Sequence, residues 1–264
     1  MIVDYHVHLR APDESIDHSV ESIERYVEVA AERGIDEIGF TEHVYYFVQT
    51  RSLWDVEYYR ERCTHDLERY VDAVSEAKRR GMPVKLGLEV DYVPGREDET
   101  REILAPYPWD YLLGSIHYLD GLSLDIEPGL VHELGAAAAW ERYFAALERA
   151  GRSGLFDSLA HPDLIKFFGH QVEWDHEPFV AALNGTCLEV SSAGLHKPHG
   201  RMYPEGSLLA SARRSGVGIT LASDAHVPQN VGRDLDKAAE HARAAGYDTV
   251  TVFDRRQRRQ EPLG

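Results

Sequence analysis

Short apolar runs in this chain keep ending in a residue able to bind a metal ion, and a helical stretch follows almost every one. Ile2-Val3 leads into Asp4-Tyr5-His6-Val7-His8, residues 35–41 end at Glu42-His43, and residues 84–88 end at Glu89. Residues 111–116 then end at His117, 158–160 at His161, 186–188 at Glu189, and 218–223 at Asp224 and His226. Between them, residues 19–33 place Val20, Ile23, Val27 and Ala30 at three- and four-residue spacing, and Gly34 stops the run. Residues 55–80 read as one longer helix, and 136–150, 177–183, 204–214 and 234–245 as four more. Strand-helix alternation predicts a parallel sheet covered by helices. Seven such units, each with polar residues at the strand's C-terminal end, predict an α/β barrel whose strand tips share one pocket.

The first strand sharpens that expectation. Side chains alternate along a strand, so Asp4, His6 and His8 should share a face. Desolvating two imidazoles and a carboxylate together is costly, and a bound cation offsets the cost. Of the 14 histidines, His6, His8, His43, His117, His161 and His226 stand at or just past the end of an apolar run. With Glu89 and Asp224 they offer mixed nitrogen and oxygen donors, which suits zinc, iron(II) or manganese better than calcium or magnesium. Eight donors exceed the need of one tetrahedral ion, so two to three divalent ions are expected. Clustered ions of this kind suit hydrolysis of phosphate esters.

Nothing divides the chain into parts, and residues 1–264 are expected to form one domain. Residues 249–253 read as a late edge strand, and about 254–264 as a poorly ordered basic tail. Residues 44–55, with Tyr45, Tyr46, Phe47 and Trp54, follow a ligand-bearing strand and are placed to lid the pocket. A net charge of −17 repels a nucleic-acid backbone, so no nucleic-acid partner is expected, whereas a small phosphorylated substrate fits a pocket carrying its own cations. No apolar run is long enough for a membrane span and no signal pattern opens the chain, so a cytoplasmic protein is expected. Cys63 and Cys187 form no metal-type or disulfide pattern. Oligomeric state is left open by these features.

As a set, Asp4-x-His6-x-His8, Glu42-His43, Glu89, His117, His161 and Asp224-x-His226 resemble the motif series of the PHP (polymerase and histidinol phosphatase) domain family, over residues 1 to about 230. The resemblance implies a single distorted (β/α)7 barrel with a trinuclear metal site at the C-terminal ends of the strands. It also implies a distribution of ligands: His6, His8, Glu89 and Asp224 on a first ion; Glu89 as a bridge, His117 and His161 on a second; His18, His43 and His226 on a third. Asp4 is expected to orient a ligand histidine, and Glu42 and Glu189 to serve similarly.

Within the family, residues 189–198, 202–204 and 223–233 resemble the histidinol-phosphate phosphatase subgroup. That likeness implies a metal-dependent phosphatase acting on L-histidinol phosphate through a metal-bridging hydroxide, with Asp224, His226 and Arg233 at the reacting centre and a metal-bound water or His226 assisting departure of the alcohol. His196 stands where many relatives carry Arg, so the phosphate contacts are assigned to Arg233 and Lys197. Glu42, Tyr45, Tyr92 and Tyr118 are the candidates for the substrate's amine and imidazole. Other readings stay open at this point: a phosphoesterase acting on a nucleotide or another small phosphorylated metabolite, an amidohydrolase, or a metal-binding barrel without catalysis.

Overall fold

The computed structural model describes residues 1–183 and 185–264. Its strands are β1 (Val3–Val7), β2 (Glu37–Phe40), β3 (Val84–Leu86), β4 (Glu89–Asp91), β5 (Leu113–Ser115), β6 (Tyr118–Leu119), β7 (Leu122–Ser123), β8 (Ser158–Leu159), β9 (Cys187–Ser191), β10 (Ile219–Ala222), β11 (Thr249–Asp254) and β12 (Gln257–Pro262). The helices are α1 (Val20–Glu32), α2 (Glu57–Arg62), α3 (Leu67–Arg79), α4 (Glu97–Leu104), α5 (Gly129–Leu134), α6 (Ala136–Arg152), α7 (Glu177–Ala182), α8 (Gly206–Arg214) and α9 (Leu235–Ala244).

Two parallel sheets carry the fold, one ordered β1-β2-β3 and the other β10-β9-β8-β5-β4. The run at residues 84–88 is therefore not one strand. After Leu86 the chain leaves the first sheet, and at Glu89 it enters the second. At the other seam the sheets meet through a parallel bridge between Val7 and Ala225, where His8 N donates to Ala225 O at 2.8 Å and Ala225 N to His6 O at 3.2 Å. Counting β3 and β4 as one broken strand gives the ring of seven, with α helices outside, a distorted (β/α)7 barrel.

Tyr5, Tyr111 and Phe253 fill the lower interior, with ring centroids 5.1 Å apart for Tyr5–Tyr111 and 5.4 Å for Tyr111–Phe253. Gly39 and Gly87 make room for this layer, because a Cβ at Gly39 would lie 2.0 Å from the Tyr111 hydroxyl. Such close packing is what a barrel core requires, since the ring is filled by side chains.

Three expectations are corrected. Residues 55–80 form two helices, because Cys63, Thr64 and His65 turn to pair with the lid: the backbone N–H groups of Thr64 and His65 both donate to Tyr46 O, at 3.0 and 2.8 Å. The tail past Asp254 is ordered as β12, antiparallel to β11. Its two-residue turn holds Arg255 and Arg256 at φ 48° and 63°, the left-handed pair that a tight hairpin demands. Arg256 secures the turn through an ion pair with Asp157 at 2.6 Å and a bond to Leu155 O at 2.7 Å.

The third correction concerns β1. Between Asp4 and Val7 the strand advances three residues while β2 advances two, from Ile38 to Phe40. This irregularity breaks the alternation, as bulges do. Asp4 thereby leaves the face that carries His6 and His8. It accepts instead from Ser223 N at 2.8 Å, Ser223 Oγ at 2.5 Å and Gly232 N at 2.7 Å.

Candidate metal centre

Six of the seven barrel strands deliver a donor to one region. β1 brings His6 and His8, the end of β2 brings His43, β4 begins at Glu89, and His117, His161, Asp224 and His226 follow β5, β8 and β10. His6, His8 and Glu89 are fully buried. Glu89 sits at the centre: its Oε2 lies 2.5 Å from His43 Nδ1 and 3.4 Å from His6 Nε2, while its Oε1 lies 3.1 Å from His161 Nε2 and 3.5 Å from His117 Nε2. Asp224 Oδ1 is 3.5 Å from His8 Nε2 and 3.7 Å from His6 Nε2.

Among the described residues these side chains make four overlapping groups, each with donor atoms within 4.8 Å of one another: His6-His8-Asp224, His6-Glu89-His161, His43-Glu89-His117 and His8-His43-His226. The eight residues proposed at the strand tips are thus brought together. His18 is placed differently. Its Nε2 lies 3.9 Å from Glu42 Oε1 and its ring packs 5.2 Å from Tyr70 and 5.5 Å from Phe47, so His8 rather than His18 completes the group with His43 and His226.

The donor chemistry fits a cation. His6 Nε2, both ring nitrogens of His8 and His161 Nδ1 are buried with no hydrogen-bond partner among the described residues. Unpartnered buried polar atoms are expensive, and here two of them, His6 Nε2 and His8 Nε2, face the carboxylates of Glu89 and Asp224. Burial lowers the His8 pKa well below its usual value, and the neighbouring His226 and His43 lower it further, so the ring stays neutral and one of its nitrogens keeps an available lone pair. Burial alone would raise Glu89, yet His43, His6 and His117 around it hold the carboxyl well below the usual range. The backbone is bent to suit: His161 and Asp224 take φ of 27° and 52°, left-handed values that cost a non-glycine residue and that concentrate at functional sites.

Two carboxylates fix the rings from behind. Glu189 Oε2 is 2.8 Å from His6 Nδ1, and its Oε1 accepts from His161 N at 3.1 Å. Asp91 Oδ1 accepts from His117 N at 3.1 Å and stands 2.9 Å from His117 Nδ1. Burial would depress His117, but Asp91 and Glu89 outweigh it and raise the pKa to about 10. Such partners set the tautomer and direct the opposite nitrogen to the metal position. Sequence reasoning missed Asp91, although Glu89-x-Asp91 is a same-face spacing on β4.

The expected substrate contacts divide. Glu42 is fully buried, its carboxylate held 3.2 Å from Arg10 Nη1 and bonded to Leu9 N, so it is spent inside the protein and does not face a substrate amine. Tyr45 stacks on His43 at 4.8 Å and on Tyr59 at 4.3 Å, and Tyr118 packs 5.0 Å from Tyr59. Tyr92 donates to Glu97 at 2.5 Å. Lys197 lies close enough for its charge to help hold Asp224 ionised, after the stronger effects of His6, His8 and His226. Arg233 and His196 both turn to Asp234, with His196 Nε2 2.7 Å and Arg233 Nε 4.0 Å from its Oδ2. Arg10, unsuspected from sequence, is a nearly buried cation whose charge reaches His226.

Fold and site together define a metal-binding α/β barrel with its donors at the strand tips. The chain belongs to the PHP domain family, whose model matches residues 4–191. It is 33% identical over 255 residues to a probable histidinol-phosphatase from Deinococcus radiodurans, covering 93% of this chain and 94% of that one. It is 28% identical over 247 residues to a histidinol-phosphatase from Bacillus subtilis, covering 81% and 90%. Its fold matches the crystal structure of histidinol phosphate phosphatase from Lactococcus lactis, solved with zinc, L-histidinol and phosphate, at a TM-score of 0.75 and 18% identity, covering 98% of each chain. No helix among the described residues is long and apolar enough to cross a membrane.

Proposed function

We propose that this chain hydrolyses L-histidinol phosphate to L-histidinol and phosphate, as a step of histidine biosynthesis, using two to three divalent ions drawn from zinc, iron and manganese. The observation that carries the reading is the cluster of eight donors around Glu89, in a chain one-third identical over nearly its whole length to a probable histidinol-phosphatase. His6, His8, His43, Glu89, His117, His161, Asp224 and His226 would hold the ions, and His18 stays a candidate only through movement toward the cluster. When bound, such ions neutralise phosphoryl oxygens and lower the pKa of a coordinated water, which suits one of the slowest uncatalysed hydrolyses.

The chain's own residues supply orientation. Glu189 and Asp91 lock His6 and His117 so that little reorganisation is left for the moment of reaction. Lys197 and Arg233, on the segments that follow β9 and β10, supply positive charge for the phosphate. His226 has 42% of its side chain exposed, the most open member of the cluster, and meets the departing alcohol there.

Phosphate release from L-histidinol phosphate, measured beside nucleoside monophosphates and p-nitrophenyl phosphate on metal-loaded protein, tests the reading. A kcat/KM above about 10⁴ M⁻¹s⁻¹ and far above the others is expected. Equal, slow rates on all three would keep the metal chemistry and sink the substrate.

A further inference from the structure

The end of the barrel opposite the metal centre differs in charge from the chain as a whole. The net charge is −17, yet Arg255, Arg256, Arg258 and Arg259 fall within five positions of the β11–β12 hairpin. Three cavities of about 650, 320 and 500 Å³ follow one another along this hairpin, the first two sharing Gly154, Asp157 and Arg256 and the last two sharing Gly185, Thr186 and Arg258. Their charged lining is Arg101, Arg213, Arg255, Arg256 and Arg258 against Asp157 and Asp248, with no Lys, Glu or His among the described residues. Asp157 is already held by Arg256 at 2.6 Å. A concave surface dominated by one sign of charge concentrates ions of the other.

In the cavity of 500 Å³ two cations meet without being used. β12 sets Arg258 opposite Phe253 and Gln260 opposite Thr251, and Gln260 Nε2 donates to Thr251 Oγ1 at 2.8 Å. Alternation therefore turns Arg258 and Gln260 toward the barrel, while Arg259 and Glu261 pair with each other on the outer face. No carboxylate awaits Arg258 there. Its guanidinium lies over Gly185, where a Cβ would come within 2.9 Å of Nη2. Arg213 reaches the same cavity from the end of α8, with its Nε donating to Gly246 O at 2.8 Å and its guanidinium 5.7 Å from the centre of the Tyr247 ring. Neither arginine forms an ion pair among the described residues, and both are exposed. Asp248, also exposed, is the one acidic side chain in this lining. We propose that this cavity is an anion site separate from the metal centre, taking a small dianion that carries phosphate or carboxylate groups between Arg213 and Arg258. Guanidinium forks match the oxygens of both groups. The hydroxyls of Thr186, Ser215 and Thr249 add polar lining, and the volume leaves room for an organic body beside the charged group. Cys187 and Gly218, at the feet of β9 and β10, close the cavity on the barrel side, so the site sits at the opposite ends of strands that carry Glu189 and lead to Asp224.

The test uses the full chain loaded with metal, titrated calorimetrically with sulfate, methylphosphonate and succinate at constant ionic strength. Inhibition of phosphate release from p-nitrophenyl phosphate by the same anions reports separately on binding at the ions. The unaltered protein should show a binding component with a Kd of about 1 mM or below. Arg213→Gln and Arg258→Gln should each weaken that component about tenfold or more, with metal content, urea midpoint and inhibition unchanged. Arg259→Gln removes an equal charge from the outer face of the same strand and should leave the component intact. Methylphosphonate binding more tightly than succinate marks a phosphorylated metabolite as the ligand, and the reverse order marks a dicarboxylate; either supports the site. An isotherm that neither inward substitution changes places all binding elsewhere and overturns the proposal. Equal weakening by Arg259→Gln also overturns it, since the effect is then a diffuse field of charge. So does the absence of binding, which leaves Arg258 only the task of keeping the edge of β12 from pairing with another strand.

Discussion

Glu89 and Asp110 are both fully buried carboxylates on the parallel sheets or their edges, yet they are served in opposite ways. Asp110 is met on every side: Lys78 Nζ at 2.5 Å, Leu86 N at 2.8 Å and Arg255 N at 3.3 Å. Glu89 is surrounded by imidazoles that are themselves short of partners. Asp110 is thus closed by the chain's own hydrogen bonds, while the cluster around Glu89 leaves donors waiting. Polar burial that stabilises and polar burial that binds are distinguished by whether the accounting closes within the chain.

The contrast can be broken at its sharpest point by Glu89→Gln. The amide cannot bridge ions as a carboxylate does, and kcat/KM should fall by at least about 10³-fold with loss of bound metal, read by phosphate release and elemental analysis. Denaturant unfolding of the metal-free protein should show no comparable loss, since the histidines around Glu89 are no longer asked to neutralise it. Asp110→Ala should reverse the pattern. It strands Leu86 N and frees Lys78, costing about 2–3 kcal/mol in urea unfolding while metal content and kcat persist. A variant that loses metal before it loses stability would undo the division drawn between the two carboxylates.

Smaller effects sharpen it. Glu189→Gln keeps the fold but weakens control of the His6 tautomer, and metal affinity should fall roughly 10- to 100-fold by competition with a chromophoric chelator. At the bottom of the scale, Arg152→Ala removes a surface pair with Glu148 at 3.8 Å on α6 and should shift unfolding by less than about 0.5 kcal/mol, with no change in metal binding.

The donors were legible in the sequence because they sit where an apolar run ends, and barrel tips converge. His43 and His117 need no tertiary knowledge to be placed. Asp91 was hidden because the run was read as finished at Glu89, whereas the strand break after Leu86 makes Glu89 the start of β4 and carries its alternation on to Asp91. Asp4 was misplaced by a register slip that no pattern of residue types announces. The long helix over 55–80 looked continuous by periodicity, and only the pairing of residues 64–65 with Tyr46 interrupts it. β12 reads Gln-Arg-Arg-Gln-Glu-Pro, almost wholly solvent-facing, so it has no apolar alternation to show. Its partner β11 and the bond from the Met1 amino group to Pro262 O at 2.6 Å fix it in place. Tertiary partners, invisible to local patterning, decided each of these.

The bonds from Asp4 to Ser223 and Gly232 have a consequence for the order of synthesis. They join residues 219 and 228 positions apart, and the Val7–Ala225 bridge lies beside them. Contacts of such sequence separation are paid for late in folding. His6 and His8 are made before the other donors, but the strand that carries them has no partner on its open side until residues 219–225 have followed. The centre therefore cannot be completed until the segment around Ser223 to Gly232 has been made, and a chain truncated before Ser223 carries most of its donors without a closed ring to hold them.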